Sequence, residues 1–210
     1  MPETIDEQQP GFDGLVPSDK QRISREAVIE AGLRYLRESG TDSICKVCIS
    51  HAGSCCIDCL HLQDRVGCQR RNTGCTAWLC GFHNFLLYEL DQLEAWNRFW
   101  DEVPGQDYRT DETPAFLYMS RSLSAPDFRL VSEAFASDLE ELAVKHVALG
   151  FIFTLREKLD KQVERAALYR DDPRYSTEIN RRIQELSYPF YRFRAALHDY
   201  RLRAADRDGA

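Results

Sequence analysis

Residues 179–200 read INRRIQELSYPFYRFRAALHDY, and their spacing decides the fold class. Ile179, Ile183, Leu186, Phe190, Phe193, Leu197 and Tyr200 follow one another at steps of 4, 3, 4, 3, 4 and 3 residues. That alternation puts them on one face of a helix, as a heptad seam that another element must cover. Pro189 stands inside the seam. It has no amide proton and its ring crowds the preceding turn, so it should kink the helix or divide it in two.

Working outward toward the N-terminus, Asp171, Asp172 and Pro173 end an earlier periodic stretch. Phe128, Val131, Phe135, Leu139, Leu142, Leu149, Ile152, Leu155, Leu159 and Val163 keep helical spacing, which predicts one long helix over 127–169. Two long helices joined by so short a break most simply form an antiparallel hairpin, here residues 126–210.

Further upstream, residues 76–93 read TAWLCGFHNFLLYELDQL. Trp78, Leu79, Phe82, Phe85, Leu86, Leu90 and Leu93 cover most of the circumference of a helix, which predicts one helix buried in the middle of a domain. A short helix over 94–103 should carry Trp96, Phe99 and Trp100. Residues 104–114 read as a loop in which Gln106, Asp107, Tyr108 and Arg109 could line a pocket. AFLYMS, 115–120, could be a strand, but no partner strand is visible and no sheet is expected. A first helix is predicted from Asp19 to Ser39, capped by Ser18 with Gln21, with Ile23, Ala27, Val28, Ala31 and Leu36 as its apolar stripe and Gly40 as its stop. Residues 1–17 contain Glu3, Asp6, Glu7 and Asp13 but no Lys or Arg, and read as a flexible acidic tail.

The chemistry concentrates in residues 45–80, CKVCISHAGSCCIDCLHLQDRVGCQRRNTGCTAWLC. All 8 cysteines of the 210-residue chain lie there: Cys45, Cys48, Cys55, Cys56, Cys59, Cys68, Cys75 and Cys80. The N-terminus has no apolar signal region and no apolar run approaches the ~20 residues that span a bilayer, so the expected location is the cytoplasm. Thiols stay reduced there, and a dense cysteine cluster reads as a metal site rather than a disulfide framework. The C-x2-C pairs 45/48 and 56/59 let two sulfurs reach one ion from a tight turn. All eight cysteines are candidate ligands, with His51, His61 and His83 as candidate replacements. Soft thiolates suit zinc and iron–sulfur clusters alike, so both stay open.

The order C-x2-C, adjacent Cys55–Cys56, Gly67–Cys68, Cys75 and then Cys80 resembles the CxxCxxCC family of zinc- or iron-chelating proteins, over residues 45–83. This sequence departs from that pattern in having six residues, not two, between Cys48 and Cys55, and in the additional Cys59. The resemblance implies a bound metal or cluster and no particular reaction.

Hydrophobic residues at 43% suffice for a core without cysteine staples. A net charge of −7 argues against a nucleic-acid-coating protein and leaves room for local basic patches, at Arg65, Arg70 and Arg71 and on the last helix at Arg192, Arg194, Arg201 and Arg203. No phosphate-binding Gly-rich loop, nucleophile elbow or HExxH is present, so whether the chain is an enzyme stays open. The expected molecule is mainly α. Its helical cysteine-rich metal-binding region, residues 18–125, is built around a metal knot, and the C-terminal hairpin packs on it. Its expected role is an interaction or regulatory module with structural zinc; the alternative is an iron–sulfur protein with redox or enzymatic activity. The C-terminal helices offer a surface for a protein partner or self-association.

Overall fold

The computed structural model describes residues 19–51, 59–63, 66–107, 111–146 and 150–208; the expected acidic tail and Ser18 lie outside them. Among the described residues, nine helices and two short two-stranded ribbons make a mainly α fold. In chain order these are β1 (Gln21–Ser24), α1 (Arg25–Glu38), α2 (Asp42–His51), β2 (Leu62–Gln63), β3 (Gly67–Cys68), α3 (Thr73–Ala77) and α4 (Gly81–Glu89). Then follow α5 (Leu93–Trp100), β4 (Phe116–Met119), α6 (Arg129–Lys145), α7 (Phe151–Leu168), α8 (Pro173–Ser187) and α9 (Tyr191–Asp208).

The heptad seam is covered within the chain. Ile179, Ile183, Phe190, Phe193 and Leu197 are buried, and Leu186 and Tyr200 pack at the edge of the core. Pro189 divides the helix into α8 and α9. Asp172 caps α8 by accepting from Arg174 N at 3.0 Å, and Pro173 occupies the first turn, where a missing N–H costs nothing. α8 packs on α7 and α9 on α6, the nested order of a hairpin. The single helix predicted over 127–169 is corrected to two. α7 starts after Gly150, whose φ of 85° is left-handed backbone that ends a helix and that glycine adopts without a steric penalty.

Phe135 of α6 is the centre of the core. Its ring lies 5.8 and 5.4 Å from Phe82 and Phe85 of α4, and 4.9 and 5.1 Å from Phe190 and Phe193. One helix turn away, the buried Asp138 carboxylate accepts from Phe193 N at 2.9 Å and from Arg192 Nη1 at 3.0 Å. Phe193 N is one of the amides that the start of α9 leaves without an intrahelical partner, so α6 caps α9 from the side. The arginines read as a basic face are largely tied down. Arg192 also reaches Glu141 at 2.7 Å, Arg194 donates to Tyr188 O at 2.6 Å, and Arg201 donates to Glu89 O at 2.6 Å.

The N-terminal half departs more from expectation. The predicted helix from Asp19 begins only at Arg25, because residues 21–24 pair antiparallel with β4, Gln21 opposite Met119 and Ile23 opposite Leu117. The strand expected to lack a partner has one, from far upstream. Leu117 and Met119 face inward and are buried, whereas Phe116 and Tyr118 are exposed. Ser24 caps α1 by accepting from Ala27 N at 3.2 Å. Gly40 does end the helical run, with φ 74° and with Thr41 N bonded to Leu36 O. The stripe is shifted from the predicted one: Ala27 is exposed, and Val28, Gly32, Tyr35 and Leu36 are buried.

Residues 41–74 contain α2, which packs on α6 and buries Ile44, Val47 and Cys48, and the ribbon β2–β3. The single helix over 76–93 is corrected to the end of α3, a break at 78–80, then α4 and the start of α5. Trp78 is extended and 43% exposed rather than buried. The break serves the crossing of α4 over α7. A Cβ on Gly81 would collide with the carbonyl oxygen of Arg156 and come within 2.7 Å of Asp160 Cβ, so α4 starts on the residue that lets the two backbones meet. No helix among the described residues is long and apolar enough to cross a membrane.

Candidate metal centre

Five of the six described cysteines fall into two places. Cys45 and Cys48 are three residues apart on α2, so they occupy neighbouring turns of one face. Cys80 is the N-cap of α4, and His83 lies one turn into that helix. Cys45 Sγ meets His83 Nε2 at 3.6 Å, which joins α2 to α4. Cys48, Cys80 and His83 are buried and Cys45 is half-buried. The N-terminus of α4 favours negative charge at Cys80. Asn84 N donates to Cys80 O at 2.9 Å, and Asn84 Nδ2 donates to Asp160 Oδ1 of α7 at 2.7 Å. His51, at the end of α2, is engaged elsewhere: Nε2 is 2.8 Å from Glu140 Oε1 of α6.

The second place is a cavity of about 630 Å³ lined by Cys59, His61, Cys75, Arg25, Arg70, Arg71, Asn72 and Asp111, among others. It forms where the β2–β3 ribbon meets α3. Gln69 N donates to His61 O at 2.8 Å, which closes the ribbon beside Arg70. Asn72 caps α3 by accepting from Cys75 N at 2.7 Å. Asp111 sits in left-handed backbone, φ 48°, which Asp tolerates better than most residues. It accepts from Thr73 N at 3.2 Å, from Thr73 Oγ1 and from Thr113 N at 3.3 Å. Burial pushes the Asp111 carboxyl up; the hydrogen bonds from Thr73 and Thr113 outweigh it and hold the group below the usual carboxylate range. Cys68, on β3, donates from Sγ to Arg70 O at 3.0 Å.

Cys55 and Cys56 lie outside the described residues, as do Arg65, Tyr108 and Arg109. Gln106 donates to Trp100 O at 2.7 Å and so braces the end of α5. None of the six described cysteines is in a disulfide. Among the described residues, no three of His, Cys, Asp and Glu converge as metal ligands. The segment thus divides its described thiols among α2 and the start of α4, the cavity, and β3, where Cys68 lies.

Sequence reading missed Asn72, Asp111 and Gly81. Asn72 had a legible signal, an Asn three residues before Cys75 at a helix start. Gly81 and Asp111 act through partners far along the chain, which no local pattern records. No family model, curated protein or solved structure matches this chain.

Proposed function

We propose that this protein is a thiolate metalloprotein whose zinc is structural, and that it works as an interaction or regulatory module. The observation that supports this reading best is the Cys45–His83 contact, a soft sulfur and an imidazole nitrogen 3.6 Å apart between two core-facing helices. Cys48 and Cys80 add two buried thiols on the same two segments. Thiolate and imidazole are the donor chemistry of structural zinc, which takes four such ligands in a closed tetrahedral shell. Cys45 and His83 fit the ion in kind and would supply part of its shell.

These residues do two things in this reading. They hold the ion, and through it they link α2, which packs on α6, to α4, which packs on α7. An interaction role is supported by large apolar side chains held in solvent on the same segment, Leu60, Val66 and Trp78.

The test is elemental analysis of anaerobically purified protein, followed by Cys45→Ser and Cys80→Ser. Zinc near one equivalent or above, lost in both variants together with the cooperative melting transition, is the expected result. Iron with a visible absorption band would move the assignment to an iron–sulfur protein. Less than about half an equivalent of zinc and iron together would overturn the metal reading.

A further inference from the structure

The cavity beside Cys59 and Cys75 has a chemistry of its own. We infer that it is a binding site for a small organic oxyanion, a molecule bearing a phosphate or carboxylate, gripped by Arg70, Arg71 and Asn72. Three features support this inference. Arg70 and Arg71 line the cavity, and neither guanidinium has a carboxylate or carbonyl partner among the described residues. This sets them apart from the arginines of α9, where Arg192, Arg194 and Arg201 are bonded to neighbouring helices or carbonyls. The Asn72 side chain is held in one orientation because its Oδ1 accepts from Cys75 N, which leaves Nδ2 as a donor with no acceptor among the described residues.

Among the described residues lining the cavity, the carboxylates offset this charge only in part. Asp111 and Glu26 stand against Arg25, Arg70 and Arg71; the Asp111 oxygens are taken up by Thr73 and Thr113, and Glu26 lies 3.7 Å from Arg25 Nε. The chain as a whole carries a net charge of −7, so a cavity lined by more guanidiniums than carboxylates among the described residues is a local positive region on an acidic molecule, and it favours anions. Guanidinium groups match the two oxygens of a carboxylate or phosphate edge. A volume of about 630 Å³ suits a metabolite-sized ligand and exceeds what a bare ion needs. Ile29 contributes an apolar wall for the uncharged part of such a molecule.

The site can be read by isothermal titration of the full chain with inorganic phosphate, and in parallel with citrate, at matched ionic strength. The two arms separate a phosphate group from a carboxylate group. Saturable binding of one of the two probes is expected. R70Q/R71Q should weaken it at least about tenfold, since two charged hydrogen-bond donors are replaced by neutral amides. R70K/R71K should retain more binding than the glutamine version, and R34Q, on an exposed part of α1, should leave it unchanged. Zinc is measured in the same samples, so loss of a metal and loss of the anion site are distinguishable. Saturation by neither probe, or binding that survives R70Q/R71Q, would overturn the inference.

Discussion

Cys48 and Cys80 are closed into the core, while Cys59 and Cys75 line a cavity open to solvent, although all four come from one segment of 36 residues. The first pair rides on elements that pack against the C-terminal helices, α2 on α6 and α4 on α7. The second pair belongs to the turn that precedes β2 and to the five-residue α3, which borders α1. Density of cysteines along the chain is therefore a poor guide to their common purpose. Each thiol takes the environment of the element that bears it, and the core-side and cavity-side thiols should respond differently to the same perturbation.

Removing the metal should separate them most. Chelation under reducing conditions is expected to abolish cooperative melting and open residues 45–75 to proteases, because the proposed ion links two core helices. A chelated protein that melts as before would show the core-side thiols to be ordinary core residues. Next in size is Phe193→Ala, which empties the aromatic cluster around Phe135 and should cost about 3–5 kcal/mol in chemical denaturation. Leu186→Ala, at the partly buried edge of the same seam, should cost less, and a reversed ranking would refute this account of the seam.

Asp138→Ala leaves the buried Phe193 N without its acceptor and removes one of the two carboxylates on Arg192, and should cost about 2–3 kcal/mol. An unchanged melting point would mean that the α6–α9 contact does not depend on this cap. Acid should act on the same contact. Hydrogen bonds from Lys145, Tyr191 and Arg192 pull the Glu141 carboxyl down to about 2 from an ordinary value of 4.5. Its contribution is therefore fully present above about 4.5 and is lost as pH falls toward 2. Glu141→Gln should flatten that part of a stability–pH curve, and superimposable curves would exclude the residue. Smallest of all is Cys75→Ser on the cavity side, a near-isosteric change at a half-buried thiol, expected to stay within about 0.5 kcal/mol of the parent. A large loss there would erase the distinction between the two groups of thiols.

The C-terminal half was legible because its determinants are periodic. The seam from Ile179 to Tyr200 and the break at Pro189 follow from spacing and from one ring that cannot donate. The break after Lys145 was missed, although Gly150 marks it, because the apolar spacing continues across it. The N-terminal half was less legible for a different reason. Residues 21–24 look helical on their own and become a strand only because Phe116–Met119 pairs with them. The cavity depends on Asp111 reaching back to Thr73, a contact between residues 38 apart. Periodicity describes a helix face, and such contacts leave no trace in it.

The β1–β4 ribbon has a consequence in time. Its two strands flank the whole cysteine-rich segment, so they cannot pair until the intervening chain has been gathered, and a lone two-stranded ribbon is marginal without a face to pack on. Helices α7 and α8, joined by a few residues, carry no such delay. These separations predict that the C-terminal helices assemble on the short timescale of local contacts, and that the ribbon closes only once the cysteine segment between its strands has been gathered.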